Sequence, residues 1–298
     1  MTDDVNRERE PEEIWGGSWT EKKLDAFSKY VWAYISIMKR NKYWKTIYFD
    51  GFAGSGNRKD KRNSKLYQQL HFTSEEESGY KGAAERVLNL KDGLTFDYYY
   101  FIDKDESTIK KLEKNLNKKC DLKDKRLVFK SGDANKWVTE LAKALRTNKY
   151  AALIFLDPFG MQINWDSISS LTDTRSDIWI LVPTGIIVNR LLDRKGELKH
   201  IEKLESFFGL PEEEIKEYFY HLKTENTLFG DEEIIFKITR PIEKIARLYV
   251  RQLKTIWTHV TENPLRLSNS KGVPIFHLVF ASNNKQAAKI ANQIIKTL

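Results

Sequence analysis

The chain has 298 residues, 41% of them hydrophobic, with 50 Lys and Arg against 42 Asp and Glu and a formal charge of +8. That length accommodates one large α/β domain with additions or two small domains, and the basic balance, though common among soluble proteins, favours a polyanionic partner. The lone cysteine, Cys120, excludes a disulfide framework or a cysteine-built metal site within one chain; apolar runs such as Ala151–Leu156 are too short to span a bilayer, and the acidic, polar start is no signal peptide, so the expectation is a cytoplasmic protein.

Residues 1–18 read as a polar arm containing Pro11 and Gly16-Gly17. Thr20 is placed to N-cap the next helix, along which Leu24, Phe27, Val31, Tyr34, Ile35 and Met38 recur at helical spacing. Strands and helices then alternate. A strand at 46–50 is followed by a helix at 82–90, a strand at 96–103 and a helix at 105–117 with Ile109, Leu112 and Leu116 on one face. Next come a strand at 126–130, a helix carrying Trp137, Leu141 and Leu145, a strand at 151–157, a short helix near 164–171 and a strand at 177–182. Such a βα repeat builds a parallel sheet.

Two insertions interrupt the repeat. Residues 57–80 open on a basic run that includes Arg58, Lys59, Lys61 and Arg62, and residues 190–232 are charged and read as helical, with a break at Gly209-Leu210-Pro211. After Pro241 comes an amphipathic helix carrying Ile242, Ile245, Tyr249, Leu253 and Ile256. Strands near 259–267 and 274–282 form a hairpin through residues 268–272, and a helix ends the chain. The expected fold is therefore Rossmann-like α/β: a mostly parallel seven-stranded sheet with an antiparallel last strand, an N-terminal helix and helical insertions. The expected division is an arm and helix over 1–44 and one domain over 45–298.

The ends of the first four strands carry the chemistry. The first ends in Asp50-Gly51-Phe52-Ala53-Gly54-Ser55-Gly56, a glycine turn that lets the backbone approach a nucleotide-like ligand. With its opening acid, the turn resembles the first motif of class I S-adenosyl-L-methionine methyltransferases. Asp50, Phe52, Ala53, Gly54 and Gly56 are then the cofactor-binding candidates. Asp103 ends the second strand, where an acid holds ribose hydroxyls; its spacing from Gly54 is 49 positions, against the usual ~20, and removing the insertion leaves about 25. The competing role for Asp103 is a helix cap, which Asp105 fits better. Asp133, with Ala134 beside it, follows the third strand, where it meets an adenine amine or simply caps the next helix.

The fourth strand runs into Asp157-Pro158-Phe159-Gly160. This resembles the D/N-P-P-Y/F signature of methyltransferases acting on exocyclic or amide nitrogens, without its second proline, and more closely the D-P-F-G of tRNA guanine-N2 dimethyltransferases. A carboxylate and a backbone carbonyl can accept both N–H bonds of an amine and aim its lone pair, while proline stiffens the turn. Asp157, Pro158 and Phe159 are accordingly the catalytic candidates, with Phe159 stacking on an extruded or single-stranded base. Gly160, Asn189 and Arg190 are substrate-facing candidates, and the basic run Arg58, Lys59, Lys61 and Arg62 is either a phosphate clamp or a solvated loop. The five histidines show no metal spacing.

Taken in order, Trp19-Thr20 with Lys22-Lys23-Leu24, the turn at 48–56, Phe101-Ile102-Asp103, Leu156 to Gly160 and Pro183 to Leu191 resemble the three-Cys-motif partner protein family, over residues 15 to 295. The resemblance implies a methyltransferase-like fold, S-adenosyl-L-methionine as cofactor and a companion protein carrying a cysteine motif. The leading expectation is methyl transfer to an exocyclic base nitrogen of RNA or DNA. The alternatives are a non-catalytic partner or scaffold subunit of the same fold, and a methyltransferase for protein or a small molecule.

Overall fold

The computed structural model describes residues 18–41, 43–55, 82–147, 149–227, 230–269 and 271–298. Its centre is a strand, β1 (Lys45–Asp50), paired in parallel with β2 (Tyr98–Asp103) on one side and β4 (Tyr150–Leu156) on the other. β3 (Leu127–Ser131) extends the first side and β5 (Ser176–Val182) the second, both parallel. Beyond β5 lies β10 (Pro274–Ser282), antiparallel to it, and on β10 are laid the short strands β8 (His259–Val260) and β9 (Leu265–Ser268). The order 3-2-1-4-5-10 with β8 and β9 at the edge is the Rossmann-like arrangement with an antiparallel strand near its end.

This main sheet has eight strands, not seven. The strand expected over 259–267 is broken into two, and Pro264 sits in the break, where a residue without an N–H cannot extend the ladder. The larger correction concerns residues 190–232. Helices α6 (Ile186–Leu191), α7 (Ile201–Phe208) and α8 (Glu212–Phe219) are present, but the segment then turns into an antiparallel hairpin, β6 (Tyr220–Thr227) and β7 (Gly230–Lys237). The charges along both strands hide the alternation by which a strand is recognised. All but Ser18 of the arm expected over residues 1–18, and the whole insertion expected over 57–80, lie outside the described residues.

Side chains alternate across the sheet, and each face is covered by helices. One face presents Phe49, Ile154, Leu156, Ile178 and Ile180 to α4 (Ala134–Leu145), α5 (Trp165–Ser169), α7, α8 and α9 (Pro241–Leu253). The other presents Tyr48, Phe101, Phe155, Trp179 and Phe280 to α1 (Ser18–Met38), α2 (Ala83–Leu88), α3 (Glu106–Lys119) and α10 (Lys285–Lys296). Burial on both faces is why strands such as Ala151–Leu156 read as continuous apolar runs. Helix α1 is held by rings: Phe27 stacks on Phe155 with centroids 4.1 Å apart, and Tyr30 lies 4.7 Å from Phe280. Among the described residues, no helix is long and apolar enough to cross a membrane.

Candidate functional site

In this order the chain crosses the sheet between β1 and β4, and the C-terminal strand ends at such a switch point form the natural crevice of an open α/β sheet. The glycine turn after β1 and the Asp157 loop after β4 flank that switch directly. Asp50 stands opposite Phe155 in the ladder, and the Gly51 N–H donates to the Phe155 carbonyl at 3.0 Å.

The turn is shaped by its own acid and by the neighbouring strand. Asp50 is 2% exposed and accepts from the Tyr48 hydroxyl and the Phe52 N–H, each at 3.2 Å. The Ala53 N–H donates to the Ile102 carbonyl at 2.8 Å. Gly54 has φ +62°, a left-handed conformation that favours glycine, and its N–H donates to Asp103 Oδ2 at 3.0 Å. Phe52 and Ala53 are half-buried at the rim; Gly56, Arg58, Lys59, Lys61 and Arg62 lie outside the described residues.

Asp103 thus does more than end β2. Its other oxygen, Oδ1, accepts from the Asp105 N–H at 3.0 Å, and its backbone carbonyl accepts from Gly132 at 3.0 Å. The cap of α3 is Asp105, whose Oδ1 accepts from the Ser107 and Thr108 N–H groups. A hydrogen bond from the Ser107 side chain, then those backbone bonds, hold its carboxyl below the ordinary range. Asp133 is exposed and caps α4: its Oδ1 accepts from the Asn135 N–H and from Asn135 Nδ2, each at 2.9 Å. Ala134 begins that helix and is buried.

Asn135 links this loop to the next one. Its Nδ2 also donates to the Gln162 carbonyl at 2.8 Å, while its Oδ1 accepts from the Asn164 N–H at 2.9 Å and the Ser167 hydroxyl at 2.8 Å. In the Asp157 loop, Pro158 and Gly160 are buried and Phe159 is half-buried. The Gly160 N–H donates to Gln162 Oε1 at 3.1 Å. Loops after β1, β2, β3 and β4 are therefore laced edge to edge, which preorganises one end of the sheet.

The residue that sequence reasoning missed is Lys23. Its ammonium lies 2.5 Å from Asp157 Oδ2, with the two side chains only 4% and 16% exposed, and 5.3 Å from the Trp19 ring centroid. Taking both charges out of water is costly, and their pairing offsets that cost. The signal was in α1: Lys23, Phe27, Tyr30 and Tyr34 fall on one helical stripe, and all are buried. A lysine inside an apolar stripe points to a charged partner across the interface.

Asn189 and Arg190 are placed differently from one another. The Asn189 carbonyl and Oδ1 accept from the Lys237 ammonium at 2.9 and 2.7 Å, and Leu192 offers it a third oxygen, so Lys237 of β7 closes the C-terminal end of α6. Burial lowers the Lys237 pKa. Arg190 is exposed. An open cleft of about 680 Å³ lined by Trp44, Arg146, Arg175 and Asp177 lies at the other end of the sheet, away from these loops.

The residues fit a nucleotide-like cofactor: a left-handed glycine held against a β2 acid forms a cradle, with a capped helix and a half-buried aromatic beside it. No family model and no curated protein matches the chain. Among solved structures, it is similar to a Legionella pneumophila protein of the family labelled DUF519, at 13% identity over 91% of this chain and 99% of that one, with a TM-score of 0.42. It is also similar to Trm1 from Pyrococcus horikoshii in complex with S-adenosyl-L-methionine, at 10% identity over 93% of this chain and 72% of that one, with a TM-score of 0.39. At such identities and TM-scores below 0.5, the likenesses leave function to the site itself.

Proposed function

We propose that this protein is an S-adenosyl-L-methionine-dependent methyltransferase acting on an exocyclic base nitrogen of RNA or DNA. The observation that carries the proposal is Asp157: a nearly buried carboxylate just beyond the end of β4, across the switch point from the glycine turn. Phe52, Ala53, Gly54 and Gly56 would admit the cofactor, Asp50 its amino-acid end, Asp103 its ribose and Asp133 with Ala134 its adenine. Bound there, the cofactor would supply an electrophilic sulfonium methyl to the amine nitrogen, its sulfur keeping the C–S electron pair and the nitrogen giving up one N–H proton to solvent. Asp157 and the Pro158 carbonyl accept the amine's N–H bonds and hold its lone pair in line, and Phe159 supports the base by stacking. Orientation is the main contribution of these residues. Gly160, Arg190 and the basic run Arg58, Lys59, Lys61 and Arg62 would line or clamp the nucleic acid, and Asn189, whose oxygens are held by Lys237, would face it through its amide NH2 alone. The order of motifs resembles that of the three-Cys-motif partner family, and on that resemblance the proposal takes the same cofactor and adds a companion protein.

Labelled S-adenosyl-L-methionine is incubated with total RNA, genomic DNA and cell protein, and the modified unit is identified after digestion. Label in a nucleoside is expected. Asp157→Ala is expected to lower transfer by at least ~100-fold, with cofactor affinity by calorimetry unchanged. Equal activity in that variant sinks the assigned role.

A further inference from the structure

Lys23 bears on what kind of nitrogen the site accepts. A buried Lys–Asp pair is poor scaffolding, because two apolar side chains of similar volume generally hold a fold as well or better. Here the pair sits on the one carboxylate that ends β4 at the switch point, and its ammonium is delivered by a different layer of the molecule, helix α1. The Trp19 ring 5.3 Å from Nζ and the buried stripe of Phe27, Tyr30 and Tyr34 fix the stem that delivers it. Among the described residues, the Asp157 carboxylate is engaged through Oδ2, by Lys23.

Resting on the reading of Asp157 as the acceptor of the amine's N–H, the geometry points to Lys23 as a specificity determinant acting through Asp157: it admits the neutral, planar amine of a nucleobase and rejects an alkylammonium such as a protein lysine. A lone Asp157 would attract any cation, and alkylamines arrive charged at neutral pH. With Lys23 in place, an ammonium bound at the second oxygen would share the carboxylate with a fixed positive charge on the order of 5 Å away. At the effective dielectric of such a site, that repulsion is worth roughly 100-fold in affinity. A neutral amine meets no such repulsion and still donates to a charged acceptor. Discrimination here comes from a repulsive element set against the wrong substrate, as specific sites commonly use.

The test uses the full-length protein with labelled S-adenosyl-L-methionine and two acceptors, a mixed-sequence single-stranded oligonucleotide and a lysine-rich peptide. Wild type is expected to label the oligonucleotide, and Lys23→Met to lose about 10-fold or more in kcat on it, with KM for the cofactor unchanged. In the same variant the peptide-to-oligonucleotide ratio is expected to rise, a change that loss of packing alone would not cause. Lys23→Arg, which keeps the charge, should restore the ratio. If Lys23→Met does not fold, wild type alone decides: n-butylammonium should inhibit at least ~100-fold more weakly than a neutral aminopurine. Preferential labelling of the peptide by wild type, or equal inhibition by the two amines, overturns the inference. An active wild type whose ratio is unchanged by a folded Lys23→Met overturns the inference and leaves the proposed function standing. No labelling of either acceptor, or of cellular RNA or DNA, overturns the proposed function and the inference with it.

Discussion

His277 makes folding stability depend on mild acid in a way that can be worked out in advance. It lies on β10, 4% exposed, opposite Val182 of β5 and Arg266 of β9, with Nδ1 2.7 Å from the Thr184 hydroxyl in the loop after β5. Burial, opposed by Glu243 and aided by Arg266, brings its pKa down to about 4. The unfolded chain takes up this proton as pH falls through ~6.5, whereas the folded chain does not until near the lower value. The contribution is therefore complete above the unfolded pKa and is lost as pH falls through the folded one. Its size is about 2 kcal/mol lost by pH 5 and about 3 kcal/mol by pH 4. His277→Gln keeps a hydrogen-bonding side chain beside Thr184 and removes the titration. Urea unfolding of both proteins at pH 7 and pH 5 isolates the effect from every other titrating group. The stability difference between wild type and variant should move by about 2 kcal/mol in the variant's favour at the lower pH. Parallel stability curves would refute the reasoning.

Gly185→Ala tests the close approach of the loop after β5 to β10. A Cβ there would lie 2.3 Å from the Pro274 carbonyl oxygen and 2.8 Å from the Ile275 Cα, both backbone atoms in the sheet. The expected loss is about 3 kcal/mol or more, read as a fall in Tm of at least ~5 °C; an unchanged melting curve would show that β10 yields. Asn135→Ala removes the bonds that tie the loop after β3 to Gln162, Asn164 and Ser167. It should cost about 2 kcal/mol and speed amide hydrogen exchange across residues 157–164, while unchanged exchange there would show that the Asp157 loop is held by other means.

Much of the fold is legible in the chain because its signals are local. Helix α1 follows from Leu24, Phe27, Val31, Tyr34 and Ile35, and the β9–β10 hairpin from Asn269 and Gly272: Asn269 Oδ1 accepts from Lys271 and Val273 N–H groups, and Gly272 has φ +73°. The β6–β7 hairpin was not legible, since its charges mask the alternation and its pairing is set only by the partner strand. Roles of the acids divide similarly. Asp133 reads from sequence as an adenine ligand with a helix cap as the competing role, and the structure shows the cap formed, on one oxygen. Asp103 reads as the end of β2, but its hold on Gly54 spans the gap between two loops.

By itself the sequence determined the βα repeat, the glycine turn and the acids at the strand ends, because each is a matter of residue type at short spacing along one element. Only the tertiary structure decided which oxygens those acids spend on neighbouring loops, that Asn189 is taken by Lys237, and that Lys23 reaches Asp157 across 134 positions. The physical reason is that a charge or a hydrogen bond depends on distance in space. A buried lysine and a nearly buried carboxylate far apart in the chain become partners only when the sheet and its covering helices bring them to 2.5 Å.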